Sequence, residues 1–333
     1  MTRFRAAPLL LALLAACGPG PSTPLERVTI PAGTSLGQVA ESLAAHQVIE
    51  SRRWFRTLAR LRGVERSVKA GVYEFRRGSG AWRALSALNK GAVVAIRFTA
   101  PEGLTVWDLA DLAEDQLGVP SDSVLLAATD TGFARTLGIP GESLEGYLLP
   151  ETYLVSAGSS SRELVAMMVR EFLRQWQPAW DQRLDTLHIS RRALLSLAAI
   201  VEAESGHEDE RPMVAGVYWN RLRLGMPLQA DPTIQYAIEA RTGDRKPRLY
   251  YKDLAIPSPY NTYLHPGLPP GPINSPGIGS IRAALYPDSV PYLYFVAGMD
   301  GRHIFSRTLA EHARAVAMAR RQRIAEQKAA KRP

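Results

Sequence analysis

The most chemically suggestive run in the chain is Ser190 to Gly206, where Glu202 and Glu204 close an apolar helical pattern. Ser190 suits the helix N-cap and Gly206 suits its end. At about 100° per residue, Leu194, Leu197, Ala198, Ile200 and Val201 share one arc. Glu204 falls inside that arc and Glu202 at its edge. A carboxyl on a buried face loses solvation, and one at a helix C-terminus feels the negative end of the dipole. Both effects favour the protonated form, and a carboxyl still protonated near neutral pH is a general acid. If the helix frays before Glu204, the residue is an ordinary surface acid instead. Dinucleotide, P-loop, zincin and serine-elbow motifs are absent. His207-Glu208-Asp209-Glu210 is the nearest approach to a metal cluster, but acids at a helix start serve the dipole equally well. No metal and no cofactor are expected.

Helices are expected at about 161–185, 190–205, 209–224, 231–240, 277–286 and 308–328 to position these groups. A hairpin is expected from Tyr292–Ala297 and Arg302–Phe305 around Gly298-Met299-Asp300-Gly301. Between residues 257 and 276 stand seven prolines, at 257, 259, 266, 269, 270, 272 and 276. Such a segment is a stiff loop, and a long aromatic-bearing loop beside helices is more often a binding loop than a linker. Upstream the pattern is mixed. Strands are expected at Arg27–Ile30, Gly71–Phe75 and Val93–Thr99, with helices after Ser35, over Ser51–Leu61 and over Ala81–Leu88. Ile30-Pro31-Ala32-Gly33-Thr34-Ser35-Leu36 is echoed by Ala100-Pro101-Glu102-Gly103-Leu104-Thr105-Val106. Each copy reads as strand, glycine turn and capped helix. These small βα units are similar to LysM modules, although turn-and-cap chemistry alone could produce the echo.

The composition fits this α+β reading. The chain has 333 residues, 46% of them hydrophobic and 22% charged, which suits about two globular domains and excludes collagen, coiled coil and wholesale disorder. No apolar run reaches the roughly 20 residues of a spanning helix. The net charge of +8 is local. Residues 49–69 and the tail from Arg320 each carry a marked cationic excess. Solvated helix faces explain these patches, as does attraction to anionic headgroups or an anionic wall polymer. The single cysteine, Cys17, follows Arg3, Arg5 and an apolar run from Ala6 to Ala16 that ends Leu14-Ala15-Ala16-Cys17-Gly18. This resembles a lipoprotein signal, in which Cys17 becomes the lipidated, membrane-tethered first residue. A plain signal peptide or a short uncleaved anchor is the alternative. Export in any of these forms argues against nucleic acid as the partner of the basic patches.

Ala199-Ile200-Val201-Glu202-Ala203-Glu204-Ser205 resembles the active-site helix of the endolytic murein transglycosylases. It is also similar to the Glu-Ser element of goose-type lysozymes and soluble lytic transglycosylases. Further blocks agree in order: Lys69–Phe75, Glu102–Thr105, Leu144–Tyr153, Val217–Thr233, Ser258–Tyr263, Gly267–Ile273 and Tyr292–Val296. The resemblance implies an extracytoplasmic, membrane-attached enzyme acting on peptidoglycan glycan strands. Cell-wall synthesis proteins are further possible partners. The family usually carries an N-terminal spanning helix, for which the apolar run here is too short.

On the local sequence signals, residues 1–17 are the expected lipoprotein-type signal and anchor, 18–25 a linker and 26–98 a LysM-like region. The family resemblance implies a mainly helical, lysozyme-related catalytic domain over 99–320, and 321–333 form a basic tail. Glu204 matches the catalytic acid/base for non-hydrolytic cleavage of the MurNAc-β-1,4-GlcNAc bond, which leaves 1,6-anhydroMurNAc ends. Gln229, Asp231, Tyr260, Asn261, Thr262 and Tyr263 offer amide, carboxyl, hydroxyl and aromatic groups suited to sugar recognition. Helix capping by Asp231 and loop-internal bonding by Asn261 and Thr262 are the competing roles. Glu145 and Glu202 are weaker candidates, with turn or rim duty the more natural reading. A non-catalytic peptidoglycan-binding lipoprotein is the alternative function. A two-carboxylate hydrolase pairing Glu204 with Asp231 is a third reading.

Overall fold

The computed structural model describes residues 22–330, apart from 32, 66 and 142 and the side chains of 327–330. Cys17 lies outside the described residues, as do Lys331 and Arg332 of the tail. The chain divides into two compact units. The first runs to Ile96 and takes in Leu154–Ser159; the second comprises Arg97–Tyr153 and the chain from Ser160 onward.

In the first unit, β1 (Leu25–Ile30) is followed by α1 (Leu36–Ala45), α2 (Arg52–Leu61), β2 (Gly71–Arg76) and α3 (Gly80–Lys90). β1 and β2 pair antiparallel, with Leu25 opposite Arg76 and Ile30 opposite Gly71. The period-two pattern sends Val28, Ile30, Tyr73 and Phe75 inward, where Val39, Leu43, Phe55, Leu85 and Leu88 complete the core. The arginines at 52, 53, 56 and 60 stay on the exposed face of α2.

β3 (Ala95–Thr99) and β4 (Thr152–Ser156) pair with each other, and the division between the units falls within both strands. The sequence reading left β4 unassigned. Gly33 and Gly103 both take positive φ, +77° and +80°, and Ser35 and Thr105 both form capping boxes, with Gln38 and Asp108. The echo is therefore a shared local motif: the same turn and cap start α1 and α4 (Val106–Leu117). Its two copies lie in different units, and their strands pair with different partners.

The second unit continues through α5 (Ser121–Thr129), α6 (Thr131–Thr136), α7 (Ser161–Gln175), α8 (Pro178–Leu187), α9 (Arg191–Glu204), α10 (Arg211–Arg223), α11 (Asp231–Thr242), α12 (Ile278–Leu285), the hairpin β5 (Tyr294–Ala297) and β6 (His303–Ser306), and α13 (Leu309–Ala330). The single helix expected over 161–185 is two. Pro178 cannot continue a helix through its missing N–H, and Trp176 and Gln177 before it are extended. Trp176 then folds back, edge to face, against Trp180.

α9 is the axis of this unit. Every residue from Leu194 to Val201 is buried, so its apolar arc widens to the full circle, as expected of a helix enclosed by others. α10 and α12 pack on it closely. Gly216 lets residue 288 approach α10, since a Cβ there would stand 2.6 Å from the Asp288 carbonyl oxygen.

Candidate active site

Glu204 is the last residue of α9, with Ser190 capping the far end. The helix does not fray before it. Its half-buried carboxyl reaches an open groove of about 430 Å³ lined by α10, α11, the prolyl loop, the β5–β6 hairpin and the start of α13. Tyr218 of α10 donates its hydroxyl to Glu204 Oε1 at 3.1 Å. Burial lifts the Glu204 pKa from 4.5 to about 7; the Tyr218 hydrogen bond opposes this, the charge of Asp231 adds to it and Arg221 opposes it. Burial also raises Tyr218 well above its usual value, reinforced by the Glu204 charge, so Tyr218 remains a donor.

Arg221, on the same helix as Tyr218, is a buried clamp. Its guanidinium donates to the carbonyls of Leu293 and Leu228, each at 2.7 Å, and lies 5.2 Å from the Tyr294 ring centre. It thereby ties α10 to the hairpin and to the loop before α11. Phe295 meets Tyr218 edge to face, and His303 meets Phe295. His303 is held by Glu210, which lies 2.8 Å from its Nδ1. From α13, Leu309, His312 and Val316 line the same wall, with His312 stacked on Tyr294.

Gln229, Asp231 and Tyr263 also line the groove. Tyr263 donates to Asp231 Oδ1 at 2.5 Å. Gln229 takes φ +51°, an uncommon conformation for a residue other than glycine, and its N–H donates to the Thr262 carbonyl.

The remaining candidates sit behind this surface. Asn261 is fully buried. Its Nδ2 donates to the Leu254 and Ile256 carbonyls and its Oδ1 accepts from the Tyr263 N–H. Thr262 is buried too, and its hydroxyl bonds the Ala230 N–H and the Thr233 hydroxyl. Both are corrected from sugar contacts to interior supports, because their polar atoms are spent inside the protein, Asn261 Nδ2 on the segment before the loop and the Thr262 hydroxyl on the start of α11. Tyr260 is half-buried, with its ring centre 4.8 Å from that of Tyr236. Glu145 is 1% exposed and accepts from the Val106 N–H at the start of α4. Burial pushes its pKa to about 8. It too is corrected from substrate contact to interior support.

Glu202 points away from the groove. It pairs with Arg211 at 3.0 Å and accepts from the Gly277 N–H at 2.9 Å, while Arg211 also holds Glu102. Rim duty gives way to a buried clamp between α9, α10 and α12. Tyr218, Arg221 and His303 carried no assigned role in the sequence reading, because only the fold brings them to Glu204.

A profile of the YceG-like family matches residues 28–318. The chain belongs to the YceG-like family. Among curated relatives, the endolytic murein transglycosylase of Bacillus subtilis is 33% identical over 303 residues, covering 86% of this chain and 83% of that protein. The endolytic murein transglycosylase of Streptococcus pneumoniae is 27% identical over 87% of this chain, which spans 57% of that longer relative. A crystal structure of a YceG-like protein from Listeria monocytogenes is similar with a TM-score of 0.60 at 32% identity, covering 88% of this chain and all of the other. The family match takes in both compact units and every side chain of the groove.

Proposed function

We propose that this YceG-like chain is an endolytic murein transglycosylase in which Glu204 is the sole acid/base. The observation that carries the reading is the Glu204 carboxyl, raised to about pKa 7, at an open groove of about 430 Å³ that Asp231 also lines. Protonated Glu204 gives its proton to the glycosidic oxygen as the C1–O bond breaks. The resulting carboxylate takes the proton of the muramyl C6 hydroxyl, whose oxygen closes on C1 as a 1,6-anhydro ring. The proton balance is zero and no water enters, so a second carboxylate to activate water or act as nucleophile is unnecessary. Asp231, gripped by Tyr263, serves the positive charge that develops at C1.

The membrane-facing part of the proposal rests on Cys17 as a lipid-attachment residue, with the groove on the extracytoplasmic side. The β1–α1–α2–β2 order supports a LysM-like, glycan-binding role for the first unit. The second unit is the lysozyme-related part.

Mass spectrometry of products from purified glycan strands tests the chemistry. Anhydro ends are expected from the wild type and no products from Glu204→Gln. Reducing ends would instead make water the nucleophile, with Asp231 its activator.

A further inference from the structure

Beside the Glu204 groove lies a second hollow of about 330 Å³. Asp231 and Tyr263 line both, so the two spaces meet at the hydrogen bond between these side chains. The rest of its wall includes Arg248, Tyr250, Tyr251 and Leu254. Tyr251 is 94% exposed and Tyr250 55%. The turn that presents them is firmly built. Asp253 accepts from the Tyr250 N–H at 2.7 Å and pairs with Lys246 at 2.6 Å. The Lys246 ammonium lies 5.2 Å from the Tyr250 ring centre and the Arg248 guanidinium 5.7 Å. Among the described residues no carboxylate pairs with Arg248.

Two aromatic rings left in water at the edge of a groove are surface that a ligand gains by covering. The C–H face of a pyranose packs on such rings while its hydroxyls stay wet. The Arg248 guanidinium, which lies over the Tyr250 ring without a carboxylate partner among the described residues, suits a carboxylate, which it can grip with two parallel N–H donors. A glycan strand presents both features, and an enzyme cutting within a strand must hold sugars on both sides of the broken bond.

We propose that this hollow is a second saccharide subsite, where Tyr250 and Tyr251 carry a neighbouring sugar and Arg248 binds a carboxylate borne by a muramyl residue. The proposal rests on the transglycosylase reading of the Glu204 groove. The carboxylate is either the free lactyl group of a denuded strand or a carboxylate of an attached peptide.

The test compares full-length wild type, Tyr251→Ala and Arg248→Gln on three substrates: denuded strands, peptide-bearing strands, and denuded strands whose carboxylates have been converted to methylamides. Tyr251→Ala is expected to raise KM about fivefold on all three, the scale of a lost aromatic contact. Arg248→Gln is expected to raise KM about tenfold on the denuded or the peptide-bearing strands, the scale of a lost hydrogen bond to a charged group. It should leave the methylamide strands unchanged, and which charged substrate responds names the carboxylate. Values of kcat should hold. A Tyr251→Ala KM within twofold of wild type overturns the aromatic platform. An equal Arg248→Gln loss on charged and methylamide strands, or no loss on any, overturns the carboxylate assignment. Retention of Glu204→Gln by immobilised strands, with and without Tyr251→Ala, reads the subsite without turnover. Wild type that cuts while Glu204→Gln does not keeps the groove reading intact whatever these variants do. Wild type that neither cuts nor binds strands removes both.

Discussion

At the scale of the residue, Glu204 is a carboxyl whose proton is held by its surroundings. Because the acid step needs the protonated form and the pKa is about 7, kcat/KM should fall as pH rises through about 7. Tyr218 stabilises the carboxylate through its hydroxyl, so Tyr218→Phe should push the Glu204 pKa further up. A pH–rate profile should then show the alkaline limb displaced to higher pH, along with any loss in rate. The same shift has a stability consequence. Between the unfolded value near 4.5 and the folded value near 7, the folded state binds more protons than the unfolded one, so stability drains away as pH rises across that window. Glu204→Gln removes this drain. Its Tm should exceed that of wild type by more at pH 8 than at pH 4.5, and equal differences at both would contradict the burial argument. Glu204 was legible in the sequence because helix periodicity alone puts it on the apolar arc. Tyr218 was not, since the contact that matters crosses from one helix to another.

At the scale of the element, the prolyl loop and α9 are held by polar groups that work inside the protein. Asn261→Ala would remove the donor to the part-buried Leu254 carbonyl and the buried Ile256 carbonyl, at about 1–3 kcal/mol for a buried group left unsatisfied. The expected result is a lower Tm, with KM disturbed through Tyr263 rather than through a lost sugar contact. Wild-type Tm with a large kcat loss would restore Asn261 to the groove surface. Glu202→Ala leaves Arg211 to Glu102 alone, and breaking a buried pair costs about 3 kcal/mol at the low end of its range. Denaturant titration should therefore separate Glu202, whose alanine variant should lose stability, from Glu204, whose glutamine variant should fold but not turn over. Residue type and spacing identified this loop as stiff and polar. They could not say which face of it looks inward, because Asn, Thr and Tyr suit a sugar and a backbone carbonyl equally well. The break at Pro178 was overlooked because the apolar pattern continues across it.

At the scale of the molecule, the second unit owns the whole groove and the first supplies a separate core of its own. The α+β character and the internal echo were legible, because caps, glycine turns and hydrophobic period are local signals. Strand pairing was not: β3 finds β4, and nothing near residue 99 in the sequence points to Thr152. No described helix is long and apolar enough to cross a membrane, and the proposed attachment rests on the sequence around Cys17. Cys17→Ala should move the protein from the membrane fraction to the soluble fraction, or leave its leader unprocessed. Intact-mass measurement showing residues 1–17 retained without lipid would refute that attachment.

The wall formed by β5, β6 and α13 comes after the opposite wall in chain order. A nascent polypeptide that has finished α9, α10 and the prolyl loop already contains Glu204, Tyr218, Asp231 and Tyr263. It still lacks Phe295, His303 and His312, and with them part of the cover that keeps the Glu204 carboxyl from water. At that stage the burial that raises the Glu204 pKa is incomplete. In the proposed mechanism, acid catalysis by Glu204 therefore awaits the hairpin and α13 rather than growing in with the opposite wall. Nicking within the hairpin would withdraw it again while leaving every acid, amide and phenol of the opposite wall in place.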